Sequence, residues 1–245
     1  MKKILVLFGG VSSEHDVSLV SAASVIKNLP ADRFTVIPVG ITAEGKWYLY
    51  KGEADQLPGG GWLRDPSLLA PAQISVDRGR KGLLVFGGGR WALEAIDAVF
   101  PVLHGANGED GTMQGLLEIS GLPYAGCGAL SSAMCMDKEI TNTVAASAGI
   151  KQAKWLAVRA GEYRADPQKT IQQAGQTLGY PIFVKPANTG SSVGITKAAD
   201  AAALGKGIDN AFRYDTKAVL EQTVRGAEIE CAVIGNAGIR VSVPG

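Results

Sequence analysis

A lysine at the end of an apolar run precedes a loop that is rich in glycine and serine. Residues 182–185 read IFVK, and residues 187–194 read ANTGSSVG. Backbone N–H groups and hydroxyls of such a loop donate to phosphate oxygens, while the Lys185 ammonium neutralises their charge. A Walker loop runs directly into a helix, whereas Val193 and Thr196 predict a strand here. The segment is therefore predicted to be a hairpin tip that closes over a nucleotide, with a plain hairpin as the alternative.

A second loop, residues 9–14 with the sequence GGVSSE, joins a predicted strand to the start of a predicted helix. Backbone N–H groups and the positive end of the helix dipole face the crevice at such a junction. Glu14 in this position suits a substrate ammonium group, although complementing the helix dipole would also explain it. The segment lacks the GxGxxG spacing of dinucleotide-binding loops, so a nicotinamide-dependent oxidoreductase has little support.

A third loop, residues 104–111 with the sequence HGANGEDG, lies between a predicted buried strand and a predicted helix. Its three glycines permit positive φ angles and a close approach of the backbone to a ligand. His104 is the residue that we expect to contact the ligand, while Glu109 and Asp110 hold the loop in shape. The alternative interpretation is an ordinary capped loop with Asp110 as the helix N-cap.

Three more charged residues are weak signals when each is taken by itself. Lys138 lies on a predicted helix, where a lysine is by default a solvated surface charge. Glu221 ends a predicted strand and Glu228 opens the next, and acids that flank a short linker are usually exposed. Their significance depends on the elements that surround them.

The elements expected around the loop at residues 9–14 form a βαβ opening, which favours a doubly wound parallel sheet. Serine 12 or 13 is predicted to cap the first helix, with Glu14 in its first turn. Residues 45–94 carry short β-like pieces between glycine-rich turns, which predicts an antiparallel insertion at the sheet edge. The buried strands of this unit are expected over 3–8, 34–42 and 95–103, and its second helix over 112–120. Apolar residues at three-residue spacing predict the buried face of the first helix: Val17, Val20, Ala23, Ile26 and Leu29.

A second unit is predicted to begin near residues 126–128, with a helix over 131–147 that includes Lys138. Strands and helices then alternate irregularly up to residue 222, and two further strands start a new sheet. The strands are expected over 155–158, 182–185, 193–197, 218–222, 228–234 and 239–243, and the other helices over 167–178 and 200–212.

Composition excludes several classes of protein. The 245 residues are 46% hydrophobic and 19% charged with a net charge of +1, which fits a globular chain and disfavours nucleic-acid binding. No apolar run approaches the length of a membrane span. The three cysteines form no CxxC pair, which predicts reduced thiols in a cytoplasmic protein without a disulfide framework.

Four of these segments together resemble the D-alanine–D-alanine ligase family of ATP-grasp enzymes, and the resemblance spans the whole chain. They are GGVSSEHDVSL (9–19), HGANGEDGTMQG (104–115), MDK (136–138) and VKPANTGSSVG (184–194), in the order that the family has them. The resemblance implies an α/β fold of the ATP-grasp type. It implies an N-terminal domain over 1–126 with a doubly wound sheet, an α+β central domain over 127–223, and the beginning of a third domain over 224–245.

The resemblance also implies a role for individual residues. Glu14 would bind the ammonium of the first D-alanine with Ser191 as its partner, and His104 would contact the same substrate. The expected ATP ligands lie in the central domain or at the beginning of the third domain, and they are Lys138, Lys185, Ser191, Ser192, Glu221, Gln222, Val224 and Glu228. The first D-alanine would become an acyl phosphate that the amine of the second D-alanine attacks, which would yield D-Ala-D-Ala for peptidoglycan synthesis.

The family continues beyond this point, and its remaining part carries the Mg²⁺ ligands and the loop that selects the second substrate. ATP and Mg²⁺ are therefore the expected cofactors, but no metal ligand is expected among these residues. A chain that truly ends at Gly245 is expected to be inactive, which makes a non-catalytic nucleotide-binding fragment one alternative. A ligase that joins D-alanine to D-serine or D-lactate is the other. The resemblance further implies a homodimer.

Overall fold

The computed structural model describes residues 1–245, and it contains two main sheets and a small third one. The first sheet has seven strands in the spatial order β6-β5-β4-β3-β2-β1-β7. Its strands are β1 (Lys2–Gly9), β2 (Phe34–Ile41), β3 (Trp47–Tyr50), β4 (Leu69–Ile74), β5 (Leu83–Gly87), β6 (Arg90–Glu94) and β7 (Ala98–Pro101). Its helices are α1 (His15–Asn28) and α2 (Thr112–Ser120). No helix of the structure is both long enough and apolar enough to cross a membrane.

Strand β1 lies at the centre of the parallel part and is buried on both faces. It pairs in parallel with β2 on one side and β7 on the other. Because side chains alternate along a strand, Leu5 and Leu7 pack on one face while Val6 and Phe8 pack on the opposite one. Helix α2 covers the first of these faces and α1 the second. The doubly wound arrangement is confirmed, and it brings the carboxyl ends of β1 and β7 together.

The buried face of α1 confirms three of the five predicted positions, because Ala23 is buried and Ile26 and Leu29 pack against the same core. Leu19 and Ala22 are fully buried, whereas Val17 and Val20 are exposed. In a helix with 3.6 residues per turn, side chains three residues apart are separated by 300° around the axis. Five positions at this spacing therefore cannot all lie on one face. The helix also begins one residue later than expected, with Glu14 at the N-cap position and without a side-chain cap.

The antiparallel insertion at the sheet edge is confirmed, although its strands differ in extent. Strands β3 to β6 pair as consecutive antiparallel neighbours. Strand β6 was not expected, because the glycine turn at residues 88 and 89 reverses the chain where the sequence suggested only a linker. Three short 3₁₀ turns connect β3 with β4 and cover the α1 side of the sheet: Ala54–Gln56, Pro58–Leu63 and Pro66–Leu68.

The second sheet is wholly antiparallel in the order β10-β9-β11-β8. Its strands are β8 (Trp155–Arg159), β9 (Ile182–Pro186), β10 (Thr196–Ala198) and β11 (Lys217–Gln222). The surrounding helices are α3 (Ala129–Met136), α4 (Lys138–Ser147), α5 (Ala160–Ala165), α6 (Pro167–Leu178) and α7 (Ala201–Ala211). Helices α6 and α7 cover one face of the sheet, and they bury strand residues such as Ile182, Val184 and Leu220.

The opposite face of this sheet carries charged side chains. Lys217 and Glu221 alternate with buried residues along β11, and Lys185 and Arg159 point the same way from β9 and β8. The N-terminus of α4 lies against this face. One sheet therefore has a sealed apolar side and a charged side that is available for ligand chemistry.

The single helix expected over 131–147 is two helices. Asp137 adopts an extended conformation between α3 and α4, and its carboxylate accepts hydrogen bonds from the backbone N–H groups of Glu139 and Ile140. An aspartate that caps in this way starts a new helix, and the continuous apolar pattern concealed it. Lys138 is consequently the first residue of α4 rather than a mid-helix position.

The last strands, β12 (Val233–Ile234) and β13 (Arg240–Val241), form a separate two-stranded sheet. The expectation of a fresh sheet is confirmed, and both strands are exposed and shorter than expected. The division of the chain into domains at residues 126 and 223 stays a prediction.

Neighbouring residues on α1 test the observed helix face. Leu19→Ala should lower the free energy of unfolding by about 2–5 kcal/mol, because it leaves a cavity under a fully buried side chain. Val20→Ala should change it by no more than about 0.5 kcal/mol, since Val20 is 57% exposed. Urea unfolding of both variants checks this, and equal losses would contradict the observed orientation.

Candidate functional site

Glu14 lies where the loop after β1 enters α1, and it is only 7% exposed. Its backbone N–H donates to the Ser12 hydroxyl at 3.0 Å. The carboxylate occupies a gap between two glycine backbones. A Cβ atom on Gly105 would overlap Oε2 of Glu14, and one on Gly190 would lie 2.8 Å from it. Gly105 also has a φ of +68°, so glycine is required there for both space and conformation.

Ser191 brings the second sheet into contact with Glu14. Its hydroxyl donates a hydrogen bond to Oε1 of the Glu14 carboxylate, across 177 residues of sequence. Ser191 lies on the loop that connects the antiparallel strands β9 and β10, where the sequence predicts a hairpin tip. Ser191 and Ser192 have φ angles of +44° and +60°, values that are uncommon outside glycine. Ser192 is exposed beside this contact, and the β9–β10 loop is therefore closed over Glu14.

His104 is held by protein groups next to the same carboxylate. Its Nε2 lies 3.0 Å from the Ser21 hydroxyl of α1, and its Nδ1 lies 3.9 Å from a Glu109 oxygen. The other Glu109 oxygen accepts from the backbone N–H of Gly105 at 2.7 Å. Ser21 thus holds the histidine, while Glu109 holds the glycine that leaves room for Glu14.

Asp110 holds this loop in shape, but it is not the N-cap of α2. The cap is Gly111, with a φ of +90°, and the Asp110 carboxylate accepts from the N–H groups of Asn107 and Thr112 at 2.8 and 3.0 Å. The offset arises because glycine supplies a backbone conformation that aspartate adopts less readily. Near this loop, a cavity of about 350 Å³ opens at the carboxyl ends of β1 and β2, with Gly10, Leu103 and His104 in its wall.

The Lys138 side chain is hydrogen-bonded to the β9–β10 loop and does not point freely into solvent. Its ammonium donates to the carbonyl oxygen of Thr189 at 2.6 Å and lies 3.4 Å from that of Ala187. Burial lowers the pKa of Lys138, and the nearby positive charge of Lys185 lowers it further. A partly buried ammonium that faces a second cation favours an anionic ligand.

Lys185 and Glu221 form an ion pair on the charged face of the second sheet. Lys185 is opposite Val219 in the β9–β11 register, so Glu221 is its diagonal neighbour two residues further along β11. Glu221, which is expected to contact the adenine base, is therefore also the counter-ion of Lys185, which is expected to bind phosphates.

The remaining predicted nucleotide residues lie at and beyond the end of β11. Gln222 is the last residue of that strand, and its N–H donates to the Lys154 carbonyl at 2.9 Å. Val224 and Glu228 follow it in exposed positions. The structure thus brings Glu14, Ser191 and the β9–β10 loop together, while Val224 and Glu228 form no hydrogen bond or ion pair with another predicted residue.

A group of charged residues beside Lys138 was not anticipated. Lys217 is only 16% exposed and forms ion pairs with Asp137 and Glu139, and Arg159 contacts Glu139 as well. Strand alternation gives the only sequence signal for Lys217, because it shares a face with Glu221 in β11. Its partners become visible only once α4 is placed against the sheet.

Two family models match the chain. A model described as "D-ala D-ala ligase N-terminus" matches residues 3–127, and one described as "D-ala D-ala ligase C-terminus" matches residues 144–245. A D-alanine–D-alanine ligase of Caldicellulosiruptor bescii is 49% identical over 243 residues, and one of Thermoanaerobacter sp. (strain X514) is 44% identical over 244. These alignments cover 99% and 100% of the chain, and 66% and 67% of the relatives.

Solved structures agree with this assignment. The VanG D-Ala:D-Ser ligase from Enterococcus faecalis is 41% identical with a TM-score of 0.89, over 99% of this chain and 68% of that one. The D-alanine–D-alanine ligase from Coxiella burnetii is 33% identical with a TM-score of 0.88, over 100% and 70%. The fold is thus the α/β fold of ATP-grasp ligases. Within that class, the chain belongs to the D-alanine–D-alanine ligase family, and it spans about two thirds of the length of its curated relatives.

Proposed function

We propose that this chain supplies the first-substrate and nucleotide parts of an enzyme that joins two D-alanines at the expense of ATP, for peptidoglycan synthesis. One observation carries the proposal. The β9–β10 loop contacts Glu14 at its tip through Ser191 and Lys138 near its base through Thr189. A substrate ammonium and a nucleotide phosphate would therefore be held by the same loop.

At the substrate end, Glu14 would bind the ammonium of the first D-alanine. The carboxylate is buried, and the only side chain that it contacts by hydrogen bonding is the neutral Ser191. A buried carboxylate without a cationic partner gains most from a ligand that brings one. The ring of His104 would orient the same substrate from the adjacent loop, where the Ser21 hydroxyl holds its Nε2.

At the phosphate end, Lys138 and Lys185 would neutralise the transferred phosphoryl group, and Ser192 with the loop backbone would cover it. Because Lys185 is paired with Glu221, nucleotide binding would have to share or release this ion pair. We propose that Glu221, Gln222 and Val224 meet adenine at the end of β11, with Glu228 on the ribose hydroxyls.

The proposed reaction proceeds in two steps. A carboxylate oxygen of the first D-alanine attacks the γ-phosphorus of ATP, which breaks the bond to the ADP oxygen and gives an acyl phosphate. The amine of the second D-alanine then attacks the acyl carbon, so that phosphate leaves, the amine loses a proton and the peptide bond forms. The closed β9–β10 loop would exclude water, which otherwise hydrolyses an acyl phosphate.

The residues described do not fit a metal site, because they include no group of three or more histidine, cysteine, aspartate or glutamate side chains placed to hold an ion. We therefore derive no step through Mg²⁺. The proposed cytoplasmic location and the proposed homodimer depend on the family resemblance, and the three exposed free cysteines are compatible with a reducing compartment.

A second candidate is a ligase that joins D-alanine to D-serine. The observation that favours it is the match with VanG, which is named as a D-Ala:D-Ser ligase. The curated relatives at 49% and 44% identity are all named as D-alanine–D-alanine ligases, which makes D-alanine our proposed second substrate. Competition between D-alanine and D-serine in a full-length ligation assay separates the two.

Replacing the Glu14 carboxylate by an amide tests the proposed substrate role. Glu14→Gln in the full-length protein should raise the KM for the first D-alanine about tenfold to a hundredfold, because a charge-assisted hydrogen bond is lost. The Kd for ATP should stay unchanged. Steady-state kinetics and calorimetry measure these quantities, with Glu53→Gln, an exposed acid ahead of the first 3₁₀ turn, as the matched control. An unaltered KM for D-alanine would refute the role of Glu14.

The lowered pKa of Lys138 predicts how ATP affinity depends on pH. Bound phosphate favours the ammonium form, so ATP should bind fully below the pKa of free Lys138 and more weakly as the pH rises through it. Because this pKa lies below its ordinary value of 10.5, the loss should begin at a lower pH than for an exposed lysine. Calorimetric titrations should also show proton uptake on binding in that range.

Lys138→Arg is the control for this experiment, since a guanidinium keeps its charge throughout the range. The ATP affinity of Lys138→Arg should not show the same decline. If the two proteins give superimposable pH profiles, Lys138 is not the titrating group.

A further inference from the structure

Lys138 is flanked in sequence by two acids, as the motif Asp137-Lys138-Glu139 shows. Carboxylates beside a phosphate-binding lysine are unfavourable for two reasons. They attract the ammonium away from the ligand, and they repel the polyanion that the ammonium must bind. A phosphate site that contains this motif therefore requires something that occupies both acids.

The side chain of Lys217 meets this requirement. Its Nζ lies 2.6 Å from Oδ2 of Asp137 and 2.7 Å from Oε2 of Glu139. All three side chains are largely buried, with exposures of 16%, 13% and 21%. Lys138 itself forms no ion pair, and its ammonium donates only to backbone carbonyl oxygens. Lys217 on β11 thus pairs with the two carboxylates that would otherwise attract the Lys138 ammonium.

The backbone of Lys217 contributes to the same junction. Its carbonyl oxygen accepts from the N–H of Ala187, at the base of the β9–β10 loop, at 2.9 Å. The carbonyl of Ala187 in turn accepts from the backbone N–H of Lys138 at 3.0 Å. Lys217 therefore holds the first turn of α4 through its side chain and the base of the loop through its main chain.

The charges in this group stabilise one another. The hydrogen bond from Lys217 lowers the pKa of Glu139. Burial raises the pKa of Asp137, but hydrogen bonds from Lys217 and the α4 backbone leave it below its ordinary value. The pKa of Lys217 is raised by both acids despite its burial. All three groups are consequently ionised over the range in which an enzyme is assayed.

We propose that Lys217 is a positioning residue for nucleotide binding: it acts as the counter-ion of Asp137 and Glu139, so that the Lys138 ammonium is free to bind phosphate. This inference depends on the proposed function, because it assumes that Lys138 binds ATP. Lys217 itself would not touch the nucleotide. Its contribution would appear in ATP affinity and leave the site of the first D-alanine, which is formed by Glu14, unaffected.

The test measures the kinetics of full-length variants with ATP, Mg²⁺ and D-alanine. Lys217→Met should raise the KM for ATP about tenfold, since Asp137 then has no cationic partner and Glu139 keeps only Arg159 beside Lys138. The KM for D-alanine should change by less than about twofold. Lys217→Arg should keep a KM for ATP close to that of the wild type because it retains the charge. Lys27→Met, which removes a lysine from the exposed ion pair with Asp55, is the matched control.

Charge rescue separates a counter-ion from a merely structural residue. Adding Glu139→Gln to Lys217→Met should restore part of the ATP affinity, because one of the two negative charges that flank Lys138 is removed. If Lys217→Met has a normal KM for ATP, or if the double variant is as weak as the single one, the inference is wrong. Should Lys217→Met not fold, Glu139→Gln alone decides, since it should bind ATP at least as tightly as the wild type, and weaker binding would overturn the inference.

Failure of the inference is distinct from failure of the proposed function. A wild-type protein that binds no ATP would overturn the proposed function and the inference with it. A wild-type protein that binds ATP, together with a Lys217→Met variant that binds it equally well, would overturn the inference alone.

Discussion

The carboxylate of Glu14 is buried between the backbones of Gly105 and Gly190, and a buried carboxylate is stable only where donors or cations reach it. The donor in this structure comes from Ser191, at the tip of a loop that belongs to the other large sheet. This requirement relates the two sheets to each other. The loop must cross to α1, and the loop after β7 must carry glycine where it passes the carboxylate.

The same loop is anchored at its base by backbone hydrogen bonds, to Lys217 on β11 and to Lys138 on α4. One continuous set of contacts therefore runs from the charged face of the second sheet to the carboxyl ends of the first. A ligand phosphate at Lys138 would act on the loop that also completes the Glu14 site. Gly190 and Ser191 at the tip of this loop, with Gly105 opposite them and Lys138 at the base, provide the proposed enzyme with adjacent sites for an amino acid and a nucleotide.

Sequence patterns predicted those elements whose ends carry their own signals. Helix α2 ends at Gly121 as expected, and α6 occupies the expected residues between Asp166 and Gly179. Patterns were misleading where tertiary packing decides the outcome. Apolar spacing wrongly placed Val17 and Val20 on the buried face of α1, and it concealed the break at Asp137 because an aspartate in an apolar pattern resembles a surface position.

The same distinction between local sequence signals and tertiary packing applies to the candidate site. The segments around Glu14 and Ser191 were recognisable from the sequence through the resemblance to a family, but their mutual contact depends on how two sheets pack. The ion pair of Lys185 with Glu221 required the register of β9 and β11. The pairing of Lys217 with both neighbours of Lys138 required the position of α4, which no local pattern specifies.

The central claim is that Glu14 occupies the space that glycine at position 105 leaves open, and the free energy of unfolding tests it directly. Gly105 and Gly59 have similar φ angles of +68° and +70°, but a Cβ atom at Gly59 would meet nothing within 4 Å. Gly105→Ala should therefore cost about 1–3 kcal/mol more than Gly59→Ala, because it adds overlap to a similar backbone strain. In a Glu14→Ala background this excess should shrink to what the Cβ contact with Oγ of Ser12, at 2.8 Å, still costs. Equal costs for the two glycines, or an excess that is undiminished without Glu14, would contradict this claim.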